Sequence, residues 1–327
     1  MVIGFTLCSN NFLAQAKTLA DSLKEQHPEM KVFLFLVDEK NPSVDYEFIS
    51  SAEIITVSPE IVRGYNELVQ RYSLLELNSD LKPHLFQYLV KRFPAATRIY
   101  YLDADTCLYD RLDHVNGLLE VEDIVVTPHF LGPTPVNGSH SLETIALNYG
   151  VYNLGFIALN PLPENSKRFL DWWGERTRQF GYNDVANGMF VDQIWLNLAP
   201  VFFEKVHSLK HRGYNMAPWN LHEREISGYE NGKVLFSSGE NLVMYHFSSF
   251  DHSQPDIIST KYGRKDINSI PALKKLYTDY SLRLKENRVE ELSKVVCRLP
   301  LKEKKIGAVR KALYPVKKKL ASFWKKI

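Results

Sequence analysis

Through the first half of the chain, short apolar runs of strand length alternate with longer segments whose apolar residues recur three or four positions apart. That alternation predicts βαβ units and a largely parallel sheet flanked by helices. Strands are expected at Val2–Cys8, Lys31–Val37, Glu53–Val57, Arg98–Leu102 and Ile124–Thr127, with helices at Phe12–Gln26 and Leu81–Phe93. In the second helix Leu85, Leu89 and Phe93 fall at four-residue intervals, the stripe that packs a helix on a sheet. From Phe130 to Tyr149 the periodicity lapses into Gly, Pro, Ser, His and Asn, which reads as a long loop of the lid or binding kind. A strand at Leu154–Leu159, an aromatic-rich helix at Glu164–Phe180 and a helix around Val191–Leu198 should follow. Strands near Val234–Phe236 and Val243–Phe247 and a helix at Ile270–Asn287 complete the pattern, which contains no internal repeat.

With 327 residues and 45% hydrophobic content, the chain has enough apolar surface for a large core. No apolar run approaches the roughly eighteen residues that a membrane span needs. The first eight residues alternate like a strand and lack the basic start of a signal peptide, so a cytoplasmic location is expected. Cys8, Cys107 and Cys297 are odd in number and far apart, without zinc-ligand spacing, and are expected to be reduced and buried.

Charge changes the picture at one end. Residues 302–327 carry ten basic side chains against one acid, so a chain whose total is +2 has a body of net −7. A mildly acidic body does not suit nucleic acid, and no nucleic-acid partner is expected. The chain therefore divides into a globular unit over residues 1–290 and a basic tail over 291–327. In the tail Val309, Leu313, Val316, Leu320, Phe323, Trp324 and Ile327 follow helical spacing among lysines, interrupted at Pro315. That pattern predicts a basic amphipathic helix on an anionic membrane surface, placing the protein peripherally on the inner face of the plasma membrane.

The chemistry is concentrated where the strand Arg98–Leu102 ends in Asp103-Ala104-Asp105. Ligands of parallel sheets bind at the carboxyl ends of strands, and side chains two apart on extended backbone point the same way. Both carboxylates can converge on a hard cation, Mn²⁺ or Mg²⁺, that bridges diphosphate oxygens. Two other uses of the same residues stay open. Haloacid-dehalogenase-type phosphatases also place Asp-x-Asp after an apolar strand, with the first aspartate as nucleophile, although Cys107 stands where that motif has Thr or Val. A non-catalytic sugar-nucleotide-binding protein is the third possibility.

Several segments, taken in order, resemble GT-A-fold glycosyltransferases of family 8, the family of glycogenin and bacterial lipopolysaccharide galactosyltransferases. These are Leu81-Lys82-Pro83, Tyr101-Leu102-Asp103-Ala104-Asp105, Tyr152-Asn153-Leu154-Gly155-Phe156, Asp192-Gln193-Ile194-Trp195-Leu196-Asn197 and His246-Phe247. The resemblance implies an α/β GT-A, Rossmann-like fold with a mixed, mostly parallel sheet flanked by helices, and a retaining, metal-dependent transferase. It would move a hexose or N-acetylhexosamine from a UDP-sugar to a glycan, glycolipid, lipopolysaccharide or surface-polysaccharide acceptor. It further implies Asp103, Asp105 and His246 as metal ligands, and Asn153, Gly155, Asp192 and Gln193 around the donor sugar, with Asp192 or Gln193 nearest the reacting carbon. Ala104 lies within the metal motif, Lys82 near phosphate or sugar, and Thr6, Cys8 and Asn11 against the nucleoside. Read from the residues alone, His246 is a single histidine on an apolar strand, Asp192 a helix cap and Asn11 an N-cap. The chain departs from the family after His246, where Ser249 and His252 replace a glycine and a lysine, and His252 or Lys261 could take over the phosphate-binding charge. The segment Gly213–Arg224 resembles a stretch of bacterial polysaccharide enzymes, and its aromatic and amide groups suit sugar contact.

Overall fold

A computed structural model describes residues 1–134, 142–230, 233–262 and 266–301. The predicted membrane-associating stretch, 302–327, lies outside the described residues, as do residues 135–141 of the expected loop.

The amino-terminal half builds β1 (Val2–Cys8), α1 (Leu13–Gln26), β2 (Lys31–Leu36), β3 (Glu53–Thr56), α2 (Tyr65–Arg71), α3 (Leu74–Arg92) and β4 (Arg98–Leu102). There follow β5 (Thr106–Leu108), α4 (Asp113–Leu118), β6 (Ile124–Pro128), α5 (Leu142–Tyr149), β7 (Tyr152–Leu159) and α6 (Glu164–Phe180). Beyond α6 come the hairpin β8 (Asn183–Asp184) and β9 (Met189–Phe190), α7 (Ala199–Phe202) and β10 (Val206–Ser208). The chain continues through β11 (Ile226–Glu230), β12 (Lys233–Phe236), β13 (Met244–His246), α8 (Pro271–Glu286) and α9 (Val289–Leu292).

Seven strands form the central sheet in the order β10-β6-β7-β4-β1-β2-β3. All of its pairings are parallel except those of β7, which runs antiparallel to both β4 and β6. The expectation of a mixed, mostly parallel sheet is met. Alternation along the strands divides the core between two faces. Ile3, Phe5, Phe33, Phe35, Ile99 and Tyr101 pack with α3 and α6, while Val32, Tyr100 and Leu102 pack with α1. Around Tyr245 and Phe247, Tyr277 and Tyr280 of α8 close a third apolar cluster.

Local differences from the sequence expectations have physical causes. α3 begins at Leu74, seven residues before the expected start, because Ser73 and Glu76 form a reciprocal capping box. The segment expected as a helix around Val191–Leu198 is a 3₁₀ helix over Gln193–Leu198. Within the expected loop, Leu142–Tyr149 is helical, and Ala146 is the only one of its residues that is buried. Cys8 and Cys107 are buried and free as expected, but Cys297 is only partly buried. Residues 291–301 lie on the body: Val295, Leu299 and Leu301 pack against core clusters, and the Arg298 amide donates to Asp38. Among the described residues no helix is long and apolar enough to cross a membrane.

Candidate functional site

Strand parity decides where the carboxylates go. Tyr101 faces α3, so Asp103, two residues on, faces α3 as well. The Asp103 amide donates to the Gly155 carbonyl at 3.0 Å, extending the β4–β7 pairing to the motif. A tight turn follows, with the Thr106 amide and hydroxyl both donating to the Asp103 carbonyl, at 3.1 and 2.8 Å. β5 leaves this turn and pairs antiparallel with β13, placing His246 opposite Thr106. His246 Nε2 thereby sits 3.2 Å from Asp105 Oδ1 and 3.9 Å from Asp103 Oδ2.

The other ring nitrogen of His246 is held from behind. Asn215, 1% exposed and at φ 51°, donates through Nδ2 to Thr127 Oγ1 at 2.9 Å and to Asn153 Oδ1 at 3.0 Å. Its Oδ1 is thereby turned to His246 Nδ1, 3.1 Å away. That arrangement assigns a proton to Nδ1; Nε2 faces the carboxylates, carrying a proton shared with Asp105 until a cation takes its place. Gly155 makes room for the ring: a Cβ there would come within 2.5 Å of His246 Cε1 and Nδ1.

From the opposite side α3 sends Lys82, whose Nζ lies 3.1 Å from Asp192 Oδ2, 3.4 Å from Asp103 Oδ1 and 3.1 Å from the Leu154 carbonyl. The ammonium also sits 4.7 Å above the Tyr101 ring, and the Tyr101 hydroxyl donates to Asp103. Burial alone would drive the Lys82 pKa down, but Asp103 and Asp192 outweigh it and hold it above the ordinary lysine value. Burial raises Asp192, with repulsion from Asp103 adding to it and Lys82 opposing. Burial works against ionised Asp105, yet His246 holds its carboxyl below the usual range. His246 is correspondingly raised, Asp105 prevailing over the burial that would lower it.

These groups open onto one cleft of about 870 Å³. Leu75, Ser79 and Lys82 line it from a single face of α3, together with Asp103, Asp105, Asn153, Asp192, Gln193 and His246. The ligand atoms of Asp103, Asp105 and His246 all lie within 4.8 Å of one another, close enough to hold one metal ion. Two carboxylates and an imidazole fixed by Asn215 are a donor set that could hold a divalent cation.

Of the other residues singled out from the sequence, Ala104 is buried between the two carboxylates. Gln193 lines the cleft and donates through Nε2 to the Tyr149 carbonyl at 2.6 Å. Thr6, Cys8 and Asn11 are on β1 and the turn after it and are not among the cleft's lining residues. The Thr6 hydroxyl is buried without a partner, burial pushes the Cys8 thiol up, and Asn11 accepts from Ser9 Oγ at 2.6 Å. Lys261 lines the cleft beside Ser248 and Tyr262, whereas His252 lines a separate cavity against α8.

The segment Gly213–Arg224 divides in two. Asn215, Asn220 and Arg224 are buried structural pins, whereas Pro218, Trp219, Leu221 and His222 reach the cleft. Trp219 packs edge-on to His246 at 5.2 Å and faces Tyr262 at 5.5 Å, with its indole N–H unpartnered. Sequence reasoning missed the Lys82–Asp192 pair and the Asn215 support of His246, for which no local pattern gives a signal.

No family model matches the chain. YfnD, an uncharacterized protein of Bacillus subtilis (strain 168), is 22% identical over 288 residues, covering 86% of this chain and 88% of that protein. Among solved structures, the galactosyltransferase LgtC in complex with donor and acceptor sugar analogs aligns over 86% of this chain and 95% of its own, with TM-score 0.49 and 14% identity. The glycosyltransferase GlyE of Streptococcus pneumoniae TIGR4 aligns over 90% of this chain and 66% of its own, with TM-score 0.47 and 14% identity.

Proposed function

We propose that this chain is a GT-A-type retaining glycosyltransferase that takes a hexose or N-acetylhexosamine from a UDP-sugar, with Mn²⁺ or Mg²⁺ held by Asp103, Asp105 and His246. One observation supports this above the others: two carboxylates and an imidazole converge beside a buried Lys82–Asp192 pair, in a cleft at the carboxyl end of β4. A divalent ion bound there supplies charge neutralisation to the leaving diphosphate. Lys261, across the cleft, adds a positive charge for the phosphates, replacing the lysine that the resemblance leads one to expect nearer His246. Asn153, Gln193 and Lys82 bind sugar hydroxyls, and the nucleoside lies beyond the cleft towards Asn11 and the turn after β1, with Thr6 and Cys8 buried behind it.

Asp192 stands nearest the reacting carbon and acts by charge, stabilising oxocarbenium character while the acceptor attacks on the leaving-group face. Lys82 keeps this buried carboxylate available as an anion. Nothing at the site favours a dehalogenase-type phosphatase, since the third group facing the carboxylates is an imidazole contributed by β13. The acceptor is a glycan or glycolipid at the cytoplasmic membrane face, with the basic stretch 302–327 binding anionic lipid.

The test is thermal stability of the purified protein with UDP and a panel of UDP-sugars, in Mn²⁺ and in chelator. Ligand bound at about a hundred times its Kd adds about 2.7 kcal/mol to the folded state. A midpoint rise that needs Mn²⁺ and is abolished in a folded Asp103→Asn variant supports the assignment. No response to any nucleotide by the folded protein removes it.

A further inference from the structure

α5 is a helix with almost nothing to pack on. Of Leu142–Tyr149, only Ala146 is buried, while Ile145 is 43% and Leu147 70% exposed. A helix whose apolar residues stay in water is an unusual feature of a soluble surface, and it marks a contact waiting for a partner. This one is also held in place. The Tyr149 carbonyl accepts from Gln193 Nε2, the Tyr149 ring meets Phe190 edge-on at 4.8 Å, and the Val151 amide donates to Asn197 Oδ1 at 2.7 Å. Gly150, at φ 118°, makes the turn that lets the strand β7 leave immediately, its backbone against Gln193.

The face of α5 that carries Leu142, Ile145 and Tyr149 lines the cleft, whereas Leu147, on the other side of the helix, does not. Leu142, Ile145, Tyr149 and Phe190, with Tyr149 and Phe190 in ring contact, line the cleft, as does Leu75 of α3, itself 54% exposed. Asp192 and Gln193 follow Phe190 and Val191 directly in the chain and line the same cavity. The cleft is therefore polar and charged around the two carboxylates and hydrocarbon-lined towards its α5 side. The one carboxylate of α5, Glu143, is turned to Thr134, accepting from its amide and hydroxyl at 2.8 and 2.6 Å.

We propose that the wall formed by Leu75, Leu142, Ile145, Tyr149 and Phe190 is an aglycone subsite. It holds the hydrocarbon portion of an acceptor whose sugar end reaches Asp192. The inference rests on the transferase reading and narrows it to acceptors in which an alkyl or isoprenoid chain lies within a few sugar units of the reacting hydroxyl. The alternative occupants of an apolar face, a bilayer and a protein partner, do not account for its continuation down to the reacting groups.

The experiment compares n-octyl β-D-glucoside, below its micelle threshold, with methyl β-D-glucoside as ligands of the full-length protein by titration calorimetry. The sugar is common to both, so the ratio of affinities isolates the chain. Burial of about two methylenes suffices for a roughly tenfold preference for the octyl compound. The same titration on Ile145→Asn and Leu75→Asn, both changes at half-exposed positions that leave the core intact, should reduce that preference to within about twofold. Folding of each variant is checked by circular dichroism and its unfolding midpoint.

Equal affinities for the two glucosides, or a preference that both folded variants retain, overturn the subsite. So does flotation with neutral phosphatidylcholine vesicles that the variants lose while the octyl chain adds nothing, since the face is then a bilayer-docking surface. Binding of UDP with Mn²⁺, measured separately on the unaltered protein, keeps the two readings apart. If UDP binds and the octyl chain adds nothing, the subsite alone falls. If UDP fails and the octyl preference follows the wall, the apolar site stands and the transferase assignment falls.

Discussion

Lys82 is the residue whose loss the structure prices most directly. Its side chain is 8% and that of Asp192 2% exposed, so their pairing is a buried ion pair that water screens little. Lys82→Met keeps most of the volume of the stem and removes the charge, leaving Asp192 buried beside Asp103 with no cation between them. Removing one member of a buried pair costs about 3–5 kcal/mol, chiefly because the surviving charge is stranded. The orphaned Leu154 carbonyl adds about 1 kcal/mol. Asp192→Asn alone should be milder, about 1–2 kcal/mol, because Lys82 still has Asp103 at 3.4 Å. The double variant Lys82→Met/Asp192→Asn should then be more stable than the sum of the two by about 2 kcal/mol or more. Urea unfolding followed by tryptophan fluorescence and far-ultraviolet circular dichroism, at pH 7.5 with chelator present, measures all four proteins. A Lys82→Met protein within about 1 kcal/mol of the parent, or strict additivity in the double variant, refutes the reasoning.

Gly155→Ala forces a Cβ to within 2.5 Å of the His246 ring; it should cost about 1–3 kcal/mol in unfolding and weaken Mn²⁺ binding, and a protein unchanged in both would show that the ring can shift freely. Asn215→Ala frees the His246 Nδ1 proton from its acceptor and should lower Mn²⁺ affinity about 10–100-fold, read by titration with detection of free Mn²⁺. His129 carries a pH prediction. Burial, its main cause, lowers its pKa from 6.5 to about 4, with Nδ1 facing the Val151 carbonyl at 3.3 Å and Nε2 facing the Asn153 amide at 3.3 Å. Between those values the unfolded chain binds the proton and the folded one does not, so the stability contribution is full above about pH 6.5 and is lost as pH falls to about 4. The ring edge facing the cleft reduces the effect to about 2 kcal/mol, and urea midpoints at pH 7, 5.5 and 4.5 should fall less steeply in His129→Gln.

What the sequence discloses here depends on whether a structural decision is local. β1, β2, β4 and β6 are legible because each is a short, predominantly apolar run that is buried almost throughout. The start of α3 was legible too, since Ser73 and Glu76 have capping-box spacing, but the apolar stripe further along drew the boundary to Leu81. α5 could not be read from periodicity, because a helix that buries one residue has no stripe. The reversal of β7 within an otherwise parallel sheet left no mark either: an antiparallel strand buried on both faces has the same apolar run as a parallel one.

The site shows the same division more sharply. Asp103 and Asp105 share one short segment, and their common direction follows from backbone alternation alone. His246 joins them because β13 happens to pair with β5, a pairing between strands of three residues each that carries no recognisable turn signal between its partners. Lys82 and Asp192 meet because α3 covers the β4 face on which Asp103 emerges and the 3₁₀ helix after β9 docks beside β7. None of these contacts has a local cause, yet Lys82 and His246 are buried and each is held by several polar partners, so together they hold the carboxylates in one arrangement before any ligand arrives. A site that is assembled on folding, with an ammonium already between two carboxylates and an imidazole already turned by Asn215, has spent its ordering entropy in advance. That is the physical reason to expect the donor proposed above to bind without large rearrangement of β4, α3 or β13.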